Sequence, residues 1–314
     1  MSEGASGRGY YDYPVVKRPV WTWEIPVYFW LGGIGGGAFI TSSLVQRFGS
    51  EEDASLLADG FFVALAALLP CTPLLIKDLG RPDRFHHMLR VFKPLSPMNL
   101  GAWTLAAFTP VAAARALALA ADRDLLPGAA ARLTRLLPRR FTELVGSLLG
   151  LTLAGYTGVL LAATNIPLWA RSKLLGGLFT ASAFASGTAA ISLVASRRSV
   201  PDGPLHRLAM IESAVSATEL ALVAGYLAQS GPAARPLTAK RFALPFWLGA
   251  VGAGAALPLL LHRLASRRSG AGLRRLTTVA SLGAIAGSLA LRFSVFEAGK
   301  VSARDQHASF DLSR

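Results

Sequence analysis

Three things are scarce in this 314-residue chain: thiols, charges, and histidines placed where a metal could use them. Cys71 is the only cysteine. One thiol cannot hold an iron–sulfur cluster or a zinc site and makes no internal disulfide, so any metal redox centre must reside in another protein. Lying between Pro70 and Pro73 in an apolar run, Cys71 reads as a small packed side chain. Charged residues make up 16% of the chain, against about 25% in a soluble domain. Acid is scarcer still: 18 Asp and Glu face 32 Lys and Arg, for a net charge of +14. Such a balance invites a nucleic-acid reading, but the basic residues cluster in the gaps between apolar runs. There they meet lipid headgroups and set topology, and no nucleic-acid module is recognisable. The five histidines argue against haem. His206 and His262 stand near the ends of apolar runs, His86 and His87 in a loop, and His307 in the C-terminal tail. An intramembrane haem needs axial ligands inside the spans, so neither haem nor metal is expected in this chain.

Apolar sequence is what the chain has in quantity: 52% of residues are hydrophobic and the mean hydropathy is +0.44. Eight candidate spans follow one another at 24–46, 54–76, 97–119, 142–164, 173–195, 207–229, 242–264 and 275–296. The expected fold is therefore an all-α integral membrane protein of eight transmembrane helices, with a polar tail at 1–23 and another at 297–314. The first 23 residues contain no cleavable apolar region, so the first span is expected to act as its own insertion signal. Residues 33–38, Gly-Ile-Gly-Gly-Gly-Ala, match the dinucleotide fingerprint, and Glu51, Glu52 and Asp53 follow at a fitting distance. That fingerprint works only at a strand-to-helix turn. Here no residue from Ile25 to Val45 is charged, and about 20 helical residues cross a bilayer core. The glycines are better read as two small-xxx-small pairs, Gly32/Gly36 and Gly33/Gly37, that admit neighbouring helices.

With eight spans both termini lie on one membrane face, called face A. The Lys/Arg tally is nearly equal on the two faces, but the loops differ in kind. Face B carries dense arginine linkers of the sort that anchor to headgroups. Face A carries the segment Lys77–Trp103, which mixes Asp78, Arg81, Asp83, Arg84, His86, His87, Arg90 and Lys93 around the turn-formers Gly80 and Pro82. It reads either as a solvated self-paired loop or as a docking surface, with Arg84, His86 and His87 its partner-facing residues.

Ionisable residues inside spans are costly and mark a pathway or an internal pair. Glu212 and Glu219 lie seven residues apart, on one helical face and about 10 Å from each other. Arg292 sits near the end of the last span, and Glu24 opens the first. Glu143 opens the fourth, where an acid suits the helix dipole. For Glu219 and Arg292, an internal salt bridge and a proton or quinone role are equally open.

Several segments together resemble the NrfD/polysulfide-reductase membrane-anchor family: "WEIPVYFWLGGIGGGAF", "DLGRPDRFHHML", "KPLSPMNLGAW", "GYTGVLLAATNIPLW" and "LRFSVFEAG", in order along nearly the whole chain. The resemblance implies two four-helix bundles, 24–164 and 165–296, and no haem. It implies a quinone pocket, for menaquinone or ubiquinone, in the first bundle. It also implies partners: a four-cluster iron–sulfur subunit passing electrons to or from a molybdopterin subunit, at a bacterial inner membrane. By motif, Asp78 and Arg81 belong to the loop over the pocket and Tyr156 faces it, with Glu24 near where such proteins place polar quinone contacts. Arg292 matches the arginine of the last-span motif, and Glu219 stands where such proteins place a proton-conducting candidate, with Glu212 on the same helix face. No residue is given a catalytic role of its own, since the cofactor performs the redox chemistry. The competing class is a secondary transporter or ion-translocating subunit, which would use paired intramembrane carboxylates and broken helices.

Overall fold

The computed structural model describes residues 19–134, 138–198 and 200–303. The outer parts of both tails, including His307, lie outside the described residues. Within them the fold is all-α, without strands, and eight helices are long and apolar enough to cross a membrane. The helices are α1 (Glu24–Phe48), α2 (Glu51–Leu57), α3 (Gly60–Leu68), α4 (Cys71–Asp78), α5 (Pro97–Asp122), α6 (Gly128–Thr134), α7 (Arg139–Ala162), α8 (Pro167–Ala170), α9 (Leu174–Arg197), α10 (Asp202–Ser230), α11 (Arg235–Thr238), α12 (Leu257–Ala265) and α13 (Gly270–Ser302). A 3-10 helix, Pro82–Leu89, lies on face A between the second and third spans.

Local chemistry accounts for the boundaries. The second span is broken rather than continuous over 54–76. A capping box of Ser50 and Asp53 starts α2. Asp59 then interrupts the helix at the membrane edge, and α3 and α4 form the crossing, separated at Leu69–Pro70 where proline removes a backbone donor. The seventh span is a π-helix over Pro245–Ala256 before it becomes α12. Its wide turns end where Pro258 has no N–H for the preceding turn, the kind of local adjustment that keeps a proline tolerable in a membrane. The eighth span, α13, runs past the expected end at 296 to Ser302. There Lys300 pairs with Glu297 at 2.8 Å, and the Ser302 hydroxyl accepts from the Leu168 N–H at 3.2 Å.

Helix α1 is the hub. It packs on α3, α7, α9 and α13, and the buried apolar residues of both halves form one continuous cluster. Its glycines make this possible. A Cβ on Gly36 would stand 2.5 Å from the Gly150 carbonyl oxygen of α7, and one on Gly37 would stand 2.2 Å from the Ala183 carbonyl oxygen of α9. With no hydrophobic drive between helices in lipid, this backbone approach is what dispersion can use. On face A, Trp21, Trp169 and Phe296 stack with centroids 5.9–6.4 Å apart, tying the segment before α1 to α8 and α13.

Candidate functional site

Under the face A loop, the walls of α1, α4 and α7 enclose a cavity of about 200 Å³. Ile25, Phe29, Leu75 and Leu160 make it apolar. Tyr28, Tyr156 and Asp78 make it polar at chosen points, and Met88 and Met98 close it from the loop side. The Tyr28 and Tyr156 hydroxyls are 2.6 Å apart, and both side chains are buried. Gly101 permits this arrangement: a Cβ there would lie 2.2 Å from the Tyr156 ring. Asp78 accepts hydrogen bonds from the Thr22 N–H at 3.1 Å and its hydroxyl at 2.9 Å. The same hydroxyl contacts Glu24, which pairs with Lys77 at 3.0 Å while Lys77 lies over the Trp23 ring. A hydrogen-bonded carboxylate network thus runs from the cavity wall at Asp78 to the buried Glu24. Glu24 itself is not in the wall; Ile25, the next residue, and Tyr28, one turn on, are.

The loop is held by Asn99 of the Ser-Pro-Met-Asn motif. Its side-chain amide donates to the Met88 and Val91 carbonyls at 3.0 Å, and its side-chain oxygen accepts from the Lys93 N–H at 2.6 Å. Gly80 takes a left-handed φ of 67° to open the turn. Arg81 does not enter the cavity wall. It is exposed at the start of the 3-10 helix, because the Gly80 turn carries the backbone outward before Met88 returns. Arg84 is exposed beside Asp83 at 3.9 Å, and the exposed His86 and His87 rings meet edge-on at 4.4 Å.

The second half holds two further buried polar clusters. Arg292 is fully buried. It donates to the Phe29 carbonyl at 3.1 Å, the Phe179 carbonyl at 3.4 Å, the Ser288 carbonyl at 3.0 Å and the Ser182 hydroxyl at 3.2 Å. Among the described residues no carboxylate lies within ion-pair distance of it. A direct Glu219–Arg292 bridge is therefore not formed. Ser182 of α9, a helix that packs on both α10 and α13, interacts with both groups. Glu212 accepts from Ser192, from His262 Nε2 at 2.9 Å and from Ser281 at 3.4 Å. His262 Nδ1 is buried without a partner. Sequence alone leaves His262 at a span end without a role. The signal for it lies in the rule that an intramembrane carboxylate needs a partner.

Two corrections concern face B. Glu143 does not simply complement a helix start: it accepts from Arg115 Nε at 2.8 Å, and Arg115 is buried in α5 over the Phe61 ring. The arginine-rich linkers are also partly neutralised by the protein. Asp59 holds Arg123 and Arg198, Asp53 holds Arg207, and Asp122 holds Arg139. Asp53 sits below the usual carboxylate range. Burial works against its ionisation, but hydrogen bonds from Arg207 and Ser50 outweigh it.

No group of three or more metal-ligating side chains converges among the described residues. The family profile described as "Polysulphide reductase, NrfD" matches residues 14–303. The sequence is 30% identical to the C polypeptide of the polysulfide reductase of Wolinella succinogenes, over 90% of this protein and 94% of that one. It is 29% identical to the protein NrfD of Escherichia coli K12, over 90% and 96% respectively. To the NrfD homolog of Haemophilus influenzae it is 24% identical, over 93% and 98%.

Proposed function

We propose, from the chain's membership of the NrfD family, to which it belongs along nearly its whole length, that it is the quinone-reactive membrane subunit of a respiratory oxidoreductase complex. It exchanges electrons with an iron–sulfur subunit docked on face A, which serves a molybdopterin catalytic subunit, at a bacterial inner membrane. The name of the Wolinella relative, one lettered polypeptide of a reductase, supports a multi-subunit setting. The observation that carries the reading is the Tyr28–Tyr156 pair facing Asp78 in an apolar cavity beneath the face A loop.

The residues fit a quinone head. Ligand sites are apolar cavities with a few convergent polar groups, and this one, at about 200 Å³, is below the ~300–1,000 Å³ of pockets that enclose whole ligands. It suits a ring, with an isoprenoid tail leaving into lipid. A bound menaquinone or ubiquinone supplies two-electron, two-proton redox chemistry. Tyr28 and Tyr156 share one proton between their oxygens and keep a second to donate, so the pair can orient a carbonyl and exchange a proton with it. Asp78, held by Thr22, connects that end of the cavity through Glu24 and Lys77 to face A. Phe29 and Ile25 exclude water. Arg84, His86 and His87 offer the partner an exposed surface of mixed charge beside the cavity.

Met98→Trp tests this assignment, since it fills the cavity while leaving the tyrosines and carboxylates in place. Quinone-linked turnover should disappear while the partner subunits still co-purify and still react with artificial electron acceptors. Undiminished quinone turnover would overturn the site.

The buried Arg292, Glu219 and Glu212–His262 groups favour a second reading for the other half, an ion-translocating path. Under it, Glu219→Gln in proteoliposomes should leave electron transfer intact and abolish proton movement. A transporter acting alone would purify without iron or molybdenum.

A further inference from the structure

At face B, on the side opposite the tyrosine pair, the end of α1 and the start of α7 bound a cleft of about 370 Å³. Arg47 and Arg140 line it, and among the described residues neither has a carboxylate partner. Neighbouring arginines of the same face are treated differently: Arg123, Arg139, Arg198 and Arg207 are each paired with an aspartate, Asp59 serving both Arg123 and Arg198. Glu143 also lines the cleft, but it is occupied by Arg115 at 2.8 Å. The cleft therefore presents two uncompensated guanidiniums. The rest of its wall is mainly apolar and outward-facing, with Leu44, Phe48 and Leu144 all exposed on the surface that meets lipid and Ser147 beside them. Ser43 lines it from deeper in the membrane. That side chain is 6% exposed, and its hydroxyl has no hydrogen-bond partner. One helical turn separates it from Arg47, placing it about 6 Å further from face B.

We propose that this cleft binds an anionic phospholipid. The phosphate sits between Arg47 and Arg140, the unpartnered Ser43 hydroxyl donates to a glycerol ester carbonyl, and the acyl chains lie along Leu44, Phe48 and Leu144. Each element of the cleft answers one layer of such a molecule: charge at the headgroup, a donor at the ester depth, hydrocarbon below. Basic pockets between transmembrane helices are suited to anionic headgroups. A neutral quinone ring leaves two guanidiniums uncompensated, and a free phosphate ion leaves Ser43 and the apolar wall without a partner. The site is independent of the cavity under face A.

The test is native mass spectrometry of the full-length protein with its co-purifying subunits, delipidated in neutral detergent. It would be titrated with phosphatidylglycerol, with phosphatidylcholine of the same acyl composition, and with inorganic phosphate. One phosphatidylglycerol should bind in preference to phosphatidylcholine, and millimolar phosphate should not displace it. At about fivefold per arginine, R47Q/R140Q should weaken binding roughly 25- to 30-fold. S43A should weaken it about threefold. R263Q/R267Q removes two charges from the same face outside the cleft and should change nothing. Equal loss in both double variants, equal binding of phosphatidylcholine, or displacement by inorganic phosphate would each overturn the proposal. Hydrogen–deuterium exchange on the wild-type protein tests the same claim without variants: phosphatidylglycerol should protect residues 43–48 and 139–147, and no protection there would refute it.

Discussion

Replacing Tyr156 by Phe removes one hydroxyl from a pair whose oxygens are 2.6 Å apart. Tyr28 is 1% exposed, so its own hydroxyl then loses its partner with little water to replace it. A buried polar group left unpaired costs about 1–3 kcal/mol, and interhelical hydrogen bonds in membranes are worth about 0.6–1.7 kcal/mol. Tyr156→Phe and Tyr28→Phe should therefore each destabilise by about 1–2 kcal/mol. The double variant leaves no orphan and keeps both rings, so it should recover most of that loss. Activity should behave otherwise. If the pair exchanges a proton with the quinone head, losing either hydroxyl should slow quinone-linked turnover by about a hundredfold, at the lower end of the range for general acid–base catalysis, and the double variant should be no better. Stability is read from thermal denaturation in detergent, and turnover from quinol oxidation or quinone reduction in membranes. If turnover recovers along with stability in the double variant, the hydroxyls are structural and the proton role is refuted. If the single variants turn over normally, it is refuted as well.

Gly101→Ala should push the Tyr156 ring aside, costing about 1–3 kcal/mol and lowering quinone turnover with it. Gly128→Ala, where an added methyl meets nothing within 4 Å, should be near neutral in the same thermal scan. The lowered pKa of Asp53 contributes stability that is present above the usual carboxylate range and lost as pH falls through the lowered value. Acid titration below about pH 4 should therefore destabilise the wild-type protein more than Asp53→Asn, and parallel curves would count against the Arg207 pairing. Charge reversal at Arg81 and Arg84 should release the proposed iron–sulfur partner in pull-downs, and reversal at Arg139 and Arg140 should not. Cross-linking of that partner to the 123–140 linker would place docking on the wrong face.

The membrane fold is legible in the sequence alone, because burying charge in hydrocarbon is costly enough to clear whole segments of it. The charge-free stretch from Ile25 to Val45 stands out for that reason, as does the exceptional position of Arg292, Glu212 and Glu219. Proline at 70 and aspartate at 59 mark trouble in the second span, although hydropathy joins into one span what folds as α2, α3 and α4. A motif picks out Tyr156, and an apolar span implies that its hydroxyl needs a partner. Which group answers is a tertiary matter: Tyr28 lies 128 residues away on another helix. The same holds for Glu212, which meets His262; for Glu143, which meets Arg115; and for Arg292, which meets Ser182. Periodicity within a helix says which residues share a face. It does not say which face of which neighbour lies opposite, because that depends on how eight helices rotate and slide to seat their glycines. Here the seating of Gly36 on α7 and Gly37 on α9 sets the rotation of α1, and so decides that Tyr28 points into the cavity and Phe29 offers its carbonyl to Arg292.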